Sequence, residues 1–398
     1  MSASPVHTFS ASTPGCVEPR PMRVMTLTPF FPCVGSDSTG CFVSEPLPLT
    51  ERLAIRNEVI AVTPFYRGHS RIEANEIPSQ WKTYFSFPGN FGLPAAGRFL
   101  SSALVKTARK MHSVSPFDLI HAHGALPCGH AAMCLSKSLK IPFVVTVHGL
   151  DAFSDKQASG TVGSWCRRIS QDVYRSAKTV ICISDKVRES VGRATANSVV
   201  VHNGVDPEMF FPAAETGPAT TVLSVGNLIP IKGHARLIRA FARVLHVVPD
   251  TVLEIIGDGP ERESLVRLAR ELGIAQQVLF RGRQSRIRTA EAMRGCAVFA
   301  LPSHYEGLGC VYLEAMACGK PAIGCHGQGI SEIIDHGKNG FLVEPGSEAE
   351  LSDLLTMLLR NGELRRRTGA CARESILQKH TLGHQAQQLA QVYRESAQ

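Results

Sequence analysis

The chain has 398 residues, 44% apolar and 19% charged, with 42 Lys and Arg against 34 Asp and Glu for a formal net charge of +8. That length allows two or three domains with ample cores, and the balance of residue types is that of an ordinary globular protein. No run approaches the ~20 apolar residues of a membrane-spanning helix, and no clustered basic run interleaved with stacking aromatics marks a nucleic-acid surface, so nucleic acid is excluded as a partner. The modest positive excess fits solubility, and fits equally an anionic membrane surface or a phosphorylated substrate.

Residues 1–21 hold four prolines, many Ser and Thr and no apolar core of a signal peptide, which predicts a disordered extension. The 12 cysteines are scattered, with no C-x-x-C pair, and several (Cys128, Cys134, Cys182, Cys296, Cys318) sit in apolar stretches. Buried reduced thiols are expected, and with them a cytoplasmic location.

Met22 to Thr28 reads as the first buried strand, followed by a loop with Gly35 and Gly40 and a helix from about Leu47, its prolines Pro46 and Pro48 tolerated only near the first turn. Strand, glycine loop and helix start together form a turn suited to anions. Glu58 to Thr63 is the second strand. The following segment, 65–97, is long and rich in Pro, Gly and aromatics (Trp81, Tyr84, Phe85, Phe87, Phe91). It is either a binding loop whose exposed aromatics suit a sugar or lipid, or the cover of a satellite core.

Strands and helices then alternate. Phe117 to His121 and Ile141 to Val147 are strands separated by a helix, and the second is almost wholly apolar, as a parallel sheet covered on both faces requires. Ligand crevices lie past the carboxyl ends of such strands, where His148-Gly149-Leu150-Asp151 falls. His121 and His123 face one side of a strand end without a nearby Cys or carboxylate, a poor metal pair. Thr179 to Ser184 and Ser198 to Val201 complete a first sheet, and the Pro-, Gly- and Ala-rich stretch from Pro207 to Ala219 reads as a linker over a hinge.

The pattern restarts at Thr220 to Gly226, followed by Asn227 to Gly233 and a helix from about His234, which delivers Lys232 to a helix start, a natural phosphate partner. Thr251 to Pro260 is a strand and turn containing Gly257-Asp258-Gly259. This is a dinucleotide fingerprint without its third glycine, since residue 262 is Arg, which disfavours an NAD enzyme. Gln277 to Arg283 is a further strand, Pro321 to Gly324 a short one, Gly327 to Glu332 the start of a helix, and Phe341 to Val343 the last strand before a helical remainder from Glu348 to Tyr393.

The centre of the chain's chemistry is Ser303 to Gly319. A strand, Ala297 to Leu301, ends at Pro302, a loop carries Gly307 and Gly309, and a helix-forming stretch, Leu313 to Ala317, follows. Backbone N–H groups and the positive end of the helix dipole then point at an anion, and a phosphate is the expected ligand. Glu306 and Glu314 frame this turn eight positions apart. An ionised Glu only accepts hydrogen bonds and takes two sugar hydroxyls at once, so phosphate between and hydroxyls at either end describe a sugar nucleotide. Alternatively, Glu306 is a solvated loop charge and Glu314 a helix-start charge.

Glu306 and Glu314, followed by Ala315-Met316-Ala317-Cys318-Gly319-Lys320-Pro321, resemble the signature of the retaining glycosyltransferases of family 4, and further matches cover most of residues 22 to 345. The resemblance implies the α/β fold named GT-B: two Rossmann-like doubly wound parallel-sheet domains facing a deep cleft. These would be an acceptor-side domain over 22–206, a nucleotide-sugar domain over 207–380, and a final helix over 381–398 that crosses back onto the first. It implies that Lys232 holds the diphosphate with N–H groups from Gly307, Leu308, Gly309 and Cys310. Glu306 then meets the donor sugar, Glu314 the ribose, and the backbone of Gly282 and Arg283 the base. Gly40 is the expected phosphate contact from the first domain, although its loop lacks the paired glycines common in the family. His148 is expected near the reacting sugar, with Asp151 orienting it or an acceptor hydroxyl. Asn227 stands where the family often has Arg, which leaves one phosphate contact to be supplied by another residue, such as Arg281 or Arg283.

The expected reaction is transfer of a hexose-type sugar from a nucleoside diphosphate sugar to a hydroxyl of a glycan or lipid-linked acceptor, with retention and with no metal or other cofactor required. Contact with the inner face of the plasma membrane is a further expectation. Two competitors remain: a GT-B sugar-nucleotide epimerase, and a nucleotide-sugar-binding protein that has lost catalysis.

Overall fold

The computed structural model describes residues 20–33, 37–67, 77–88, 90–152, 160–192, 196–213 and 220–398. The N-terminal extension through residue 19 and the expected loop glycine Gly35 lie outside these residues. The first lobe contains β1 (Met22–Thr28), α1 (Cys41–Ser44), α2 (Leu47–Glu51), β2 (Ile55–Pro64), β3 (Ser79–Tyr84), α3 (Leu93–Val114), β4 (Leu119–His123), α4 (His130–Leu139), β5 (Phe143–Val147), α5 (Gly160–Ser176), β6 (Thr179–Cys182), α6 (Asp185–Val191) and β7 (Ser198–Val200). The second contains β8 (Thr221–Val225), α7 (His234–Leu245), β9 (Val252–Ile256), α8 (Arg262–Glu271), β10 (Val278–Gly282), α9 (Arg286–Gly295), β11 (Val298–Ala300), α10 (Cys310–Ala317), β12 (Ala322–Cys325), β13 (Phe341–Val343), α11 (Glu348–Arg360) and α12 (Gly362–Lys379); α13 (Leu382–Ser396) ends the chain.

Both sheets are parallel and wound alike. The first runs β3-β2-β1-β4-β5-β6-β7 and the second β10-β9-β8-β11-β12-β13. Each reverses direction beside its first strand, between β1 and β4 in one and between β8 and β11 in the other. Such switch points open crevices at the carboxyl ends of the strands. Helices cover both faces of the sheets, and β4 and β5 are buried at every position.

The long aromatic segment divides between its two expected uses. β3 lies within it and pairs with β2 as the edge strand, so it is not one continuous loop. Trp81 packs against a small cluster of Phe31, Leu47, Val59, Ala61 and Ile77, a satellite core, whereas Phe85, Phe87 and Phe91 remain exposed. A second departure is at Gly329–Glu332, a single 3-10 turn in place of the expected helix. There the Glu332 carboxylate accepts the N–H groups of Asp185 and Lys186, both at 2.8 Å, and so caps α6 of the other lobe.

Two crossings join the lobes, and they run side by side. Val205 N–H donates to His380 O at 3.0 Å and Leu382 N–H to Val205 O at 3.0 Å. A Cβ on Gly204 would come 2.4 Å from Thr381 O, so only glycine permits that approach. Beyond the crossing, α13 lays Leu389 and Tyr393 on the first sheet among Val24, Ile55, Leu119, Val144 and Ile181. The Tyr393 hydroxyl meets His121 Nδ1 at 2.7 Å while His121 Nε2 meets Thr146 Oγ1 at 2.7 Å, which satisfies a polar ring inside a buried strand. No helix among the described residues is long and apolar enough to cross a membrane.

The glycine contact between α12 and the turn after α10 is testable. A Cβ on Gly369 would stand 1.9 Å from Gly319 O, whereas one on Gly295 meets nothing within 4 Å. Gly369→Ala should therefore lower stability by roughly 1–3 kcal/mol, and Gly295→Ala should leave it unchanged or raise it by up to about 1 kcal/mol. Urea midpoints measure both; equal midpoints for the two variants would contradict the packing.

Candidate functional site

The carboxyl ends of the strands at both switch points border a cleft of about 280 Å³. The first lobe contributes Ser38 and Cys41. The second contributes Gly226, Asn227 and Lys232 after β8, Gly257 after β9, Arg283 and Arg286 after β10, and Glu306, Gly309, Cys310, Val311 and Glu314 after β11. Close nesting of the turns makes this possible: Gly257, at φ 144°, lies so near Gly226 that a Cβ would come 1.9 Å from the Gly226 carbonyl oxygen. The glycines of Gly257-Asp258-Gly259 therefore serve backbone packing.

Gly309 takes a left-handed conformation, φ 84°, at the start of α10, and Tyr312 N–H returns to Gly309 O at 3.0 Å. The N–H groups of Cys310 and Val311, in the first turn, have by position no acceptor within the helix, and both residues line the cleft. Lys232, on the 3-10 turn Pro230–Lys232, reaches across so that its Nζ lies 2.5 Å from Glu306 Oε2. Both partners are largely buried, with side chains 20% and 12% exposed. The Cys310 thiol is pushed up to about 12 by burial and by the nearby Glu314, so it stands neutral at the start of α10 and is no nucleophile.

Glu314 is buried and is held by Arg286. The same guanidinium donates to both oxygens of Glu45 at 2.7 and 3.0 Å, the Arg286 N–H donates to Asp37 Oδ2 at 2.9 Å, and the guanidinium lies 5.0 Å from the Phe210 ring. Arg286 thus ties Glu45 of the first lobe to Glu314 of the second. It was absent from the residues picked out by sequence. One signal existed: an arginine as the first residue of a helix, just after the N-cap Ser285, opposes the helix dipole, so another interaction must hold it there.

The remaining expected residues are placed as follows. Leu308 is fully buried in the core and its side chain lines no part of the cleft. Gly307 fits against the other lobe, where a Cβ would come 2.6 Å from His148 O, and its carbonyl accepts the Ser184 hydroxyl at 2.5 Å. Gly40, at φ 72°, packs on the Phe30 backbone and leaves the wall to Ser38 and Cys41. Gly282 gives its carbonyl to Gly257 N–H at 2.9 Å. Arg283 lines the cleft near Asn227, whereas Arg281 turns to Glu254 at 3.0 Å.

His148 packs against the rings of Phe30 and Phe42, which also touch each other, and its Nε2 shares a hydrogen bond with His123 Nδ1 at 3.0 Å. Asp151 braces this turn, its Oδ1 accepting His148 N–H at 2.8 Å. Burial holds His148 and His121 down to about 3 and His123 well below its usual value, so all three rings are neutral. Burial also raises Asp151 to about 6 against the hydrogen bond from His148, and Glu45 to about 7 against the pull of Arg286. Among the described residues no group of three or more His, Cys, Asp or Glu is arranged to hold a metal ion.

Residues 48–209 match the family described as Glycosyltransferase Family 4, and residues 205–375 match Glycosyl transferases group 1. An uncharacterized glycosyltransferase of Methanocaldococcus jannaschii is 31% identical over 258 residues, 65% of this chain and 70% of that protein. The chain belongs to glycosyltransferase family 4. Its relatives include the N-acetyl-alpha-D-glucosaminyl L-malate synthase of Bacillus anthracis, 29% identical over 73% of this chain and 76% of that one. In fold, this glycosyltransferase is similar to sucrose-phosphate synthase from Thermosynechococcus elongatus, with TM-score 0.78 at 20% identity over 94% and 98% of the two chains. Anabaena HepE, solved in complex with UDP and glucose, gives TM-score 0.73 at 22% identity over 94% and 100%. The enzyme therefore has the GT-B architecture of two Rossmann-like domains.

The neutral histidines give this glycosyltransferase an acid-sensitive fold. Those at 121, 123, 148, 234 and 380 are all depressed, the last two to about 4, chiefly by burial. Below pH ~6.5 the unfolded chain binds protons that these rings refuse, so stability present above that pH is lost as pH falls. The raised carboxyls of Asp151 and Glu45 act the other way, their contribution being lost as pH rises through about 6 and 7, but they are fewer. From pH ~6.5 to ~4.5, stability should fall by at least about 1 kcal/mol per pH unit. Urea unfolding across that range gives the slope, and a midpoint that rises on acidification would contradict the assignment.

Proposed function

We propose that this glycosyltransferase moves a hexose-type sugar from a nucleoside diphosphate donor to a hydroxyl of a glycan or lipid-linked acceptor, with retention of anomeric configuration. The observation that carries the reading is the meeting of Lys232, Glu306, Glu314 and the start of α10 in one interdomain cleft. A departing diphosphate gathers negative charge as the sugar bond breaks. Fixed N–H groups at Cys310 and Val311 and the Lys232 ammonium would receive that charge without reorganising water. Arg283 stands where it can supply the cation that Asn227 lacks. HepE's complex with UDP and glucose supports the donor class.

Glu306 and Glu314 are the carboxylates bordering the cleft among its described lining residues. Glu314 is engaged by Arg286, and Glu306 lies beside the proposed diphosphate cation, so neither stands as an opposed nucleophile of the paired-carboxylate type. Same-face displacement satisfies the balance: the acceptor oxygen bonds to the anomeric carbon, the bond to the diphosphate breaks, and the acceptor proton passes to the leaving phosphate. Glu306 then orients sugar hydroxyls, freed as Lys232 turns to the diphosphate.

The test is a panel of labelled sugar nucleotides with glycan and lipid-linked acceptors. Free nucleoside diphosphate plus a glycoside of unchanged anomeric configuration is the expected outcome; an isomerised donor would mean epimerisation, and binding without turnover a non-catalytic protein. Glu306→Gln should lower kcat by about 100-fold or more with the urea midpoint kept, and an unchanged kcat would remove Glu306 from the mechanism.

A lipid-linked acceptor also has support at the rim of the first lobe. Phe65 stacks on Phe85 at 5.5 Å, Phe85 meets Phe87 and Phe99 edge-on at 5.1 and 5.2 Å, and all four rings are exposed. Beside them α3 presents Arg98, Lys106, Arg109 and Lys110 and contains no acidic residue. Rings flanked by cations suit an anionic lipid surface. The eleven described cysteines are all free, which supports the cytoplasmic face as its location. Vesicles rich in phosphatidylglycerol should float the protein at low salt, and the double variant Phe85→Ser, Phe87→Ser should float at least about fivefold less. Equal flotation of both proteins would exclude the aromatic rim as the contact.

A further inference from the structure

A second cavity lies at the other end of the C-terminal sheet's strands, where α12 passes the amino ends of β11 and β12. It measures about 880 Å³, within the range of small-molecule sites. Ala297 and Pro321 line its floor, Pro212 one edge and Leu377 of α12 another, so its walls are largely apolar.

Lys320 is set into this apolar surround. It is 6% exposed, yet among the described residues its ammonium has neither an ion-pair nor a hydrogen-bond partner. Lys320 borders the cavity, and an anion bound there would give its ammonium the counter-charge that the surrounding side chains do not supply. Three arginines border the cavity: Arg366 is paired with Glu363, and among the described residues the other two are not paired with a carboxylate. Arg365 donates to Leu358 O and Leu359 O at 2.6 and 2.7 Å, and Arg373 donates to Phe210 O at 3.4 Å and to Ala317 O. These carbonyl contacts fix the positions of the two groups without neutralising them, and among the described residues neither forms an ion pair with a carboxylate. Glu374, exposed at the mouth, is the acidic residue of the lining, and it accepts from Gln378 Nε2 at 3.1 Å.

We propose that this cavity is a second ligand site, separate from the sugar-nucleotide cleft, and that it takes a small organic phosphate. Lys320, Arg365 and Arg373 receive the dianion, and the apolar walls receive the body of the molecule. The three cations favour a dianion over a single carboxylate. The volume favours a phosphate ester over inorganic phosphate, which would leave most of the space unfilled.

Phenyl phosphate is the probe, titrated calorimetrically into the full-length protein beside inorganic phosphate. Phenyl phosphate should bind with a stoichiometry of one at this site and more tightly than inorganic phosphate. Lys320→Met should weaken it by about tenfold or more, while Lys232→Met, in the cleft, should leave it unchanged. Because Lys320→Met removes a buried group, Ala370→Trp is the second variant. Ala370 is an exposed residue of α12 that borders the cavity, and an indole there fills the space without disturbing the core. It should abolish binding at an unchanged urea midpoint. Absence of binding to the wild-type protein overturns the proposal, as does binding lost in Lys232→Met and kept in both Lys320→Met and Ala370→Trp.

Discussion

A single guanidinium sets the electrostatic frame of the cleft. Arg286 is 8% exposed and shared between Glu314 of its own lobe and Glu45 of the other. Ions withdrawn from water this far persist only when their hydrogen bonds are nearly complete, and removing one partner strands the rest. The Phe210 ring beneath the guanidinium and the Asp37 carboxylate at its backbone fix its position further. The loops after β1 and β10 are thereby drawn toward α10, and the separation of the two lobes becomes a matter of how many of these bonds are made. A donor whose ribose engages Glu314 would have to share that carboxylate with Arg286. Binding there would then bear on the contact between the lobes through one side chain.

Much of the architecture was legible because the signals were local. All-apolar runs such as Phe143 to Val147, followed by glycine turns and helix starts, are what doubly covered parallel strands produce, and the restart at Thr221 repeats them. The motif around Glu306 and Glu314 was legible for the same reason, since strand end, Gly309 and α10 are contiguous in the chain. The loop glycines were the harder part. Gly40 and Gly282 carry the positive φ that their turns demand, but sequence does not tell a glycine needed for its own turn from one that lets a ligand approach.

Long-range partners left little trace. Glu45 lies 241 positions from Arg286, and Glu332 stands 147 from Asp185, whose helix it caps. Nothing near either carboxylate marks it as engaged with the opposite lobe. The stretch from Gly327 to Glu332 reads as the start of a helix and forms a 3-10 turn at Gly329–Glu332; a Cβ on Gly329 would stand 1.8 Å from Gly307 O, and this close backbone packing accompanies the single turn. The aromatic segment after Phe65 gave the opposite lesson. Composition marked it as unusual, yet only the pairing of β3 with β2 separated rings that pack from rings that face solvent.

The return of α13 has a consequence for synthesis of the protein. Leu389 and Tyr393 fill a face of the sheet whose strands leave the ribosome first, and His121 finds its partner in the Tyr393 hydroxyl, 272 positions downstream. Until that residue has emerged, the earlier lobe carries an uncovered apolar patch and an unsatisfied ring nitrogen. The later lobe, with its own separate core cluster, can complete itself sooner. In the nascent chain, that face of the N-terminal lobe therefore stays uncovered until the last helix has been made.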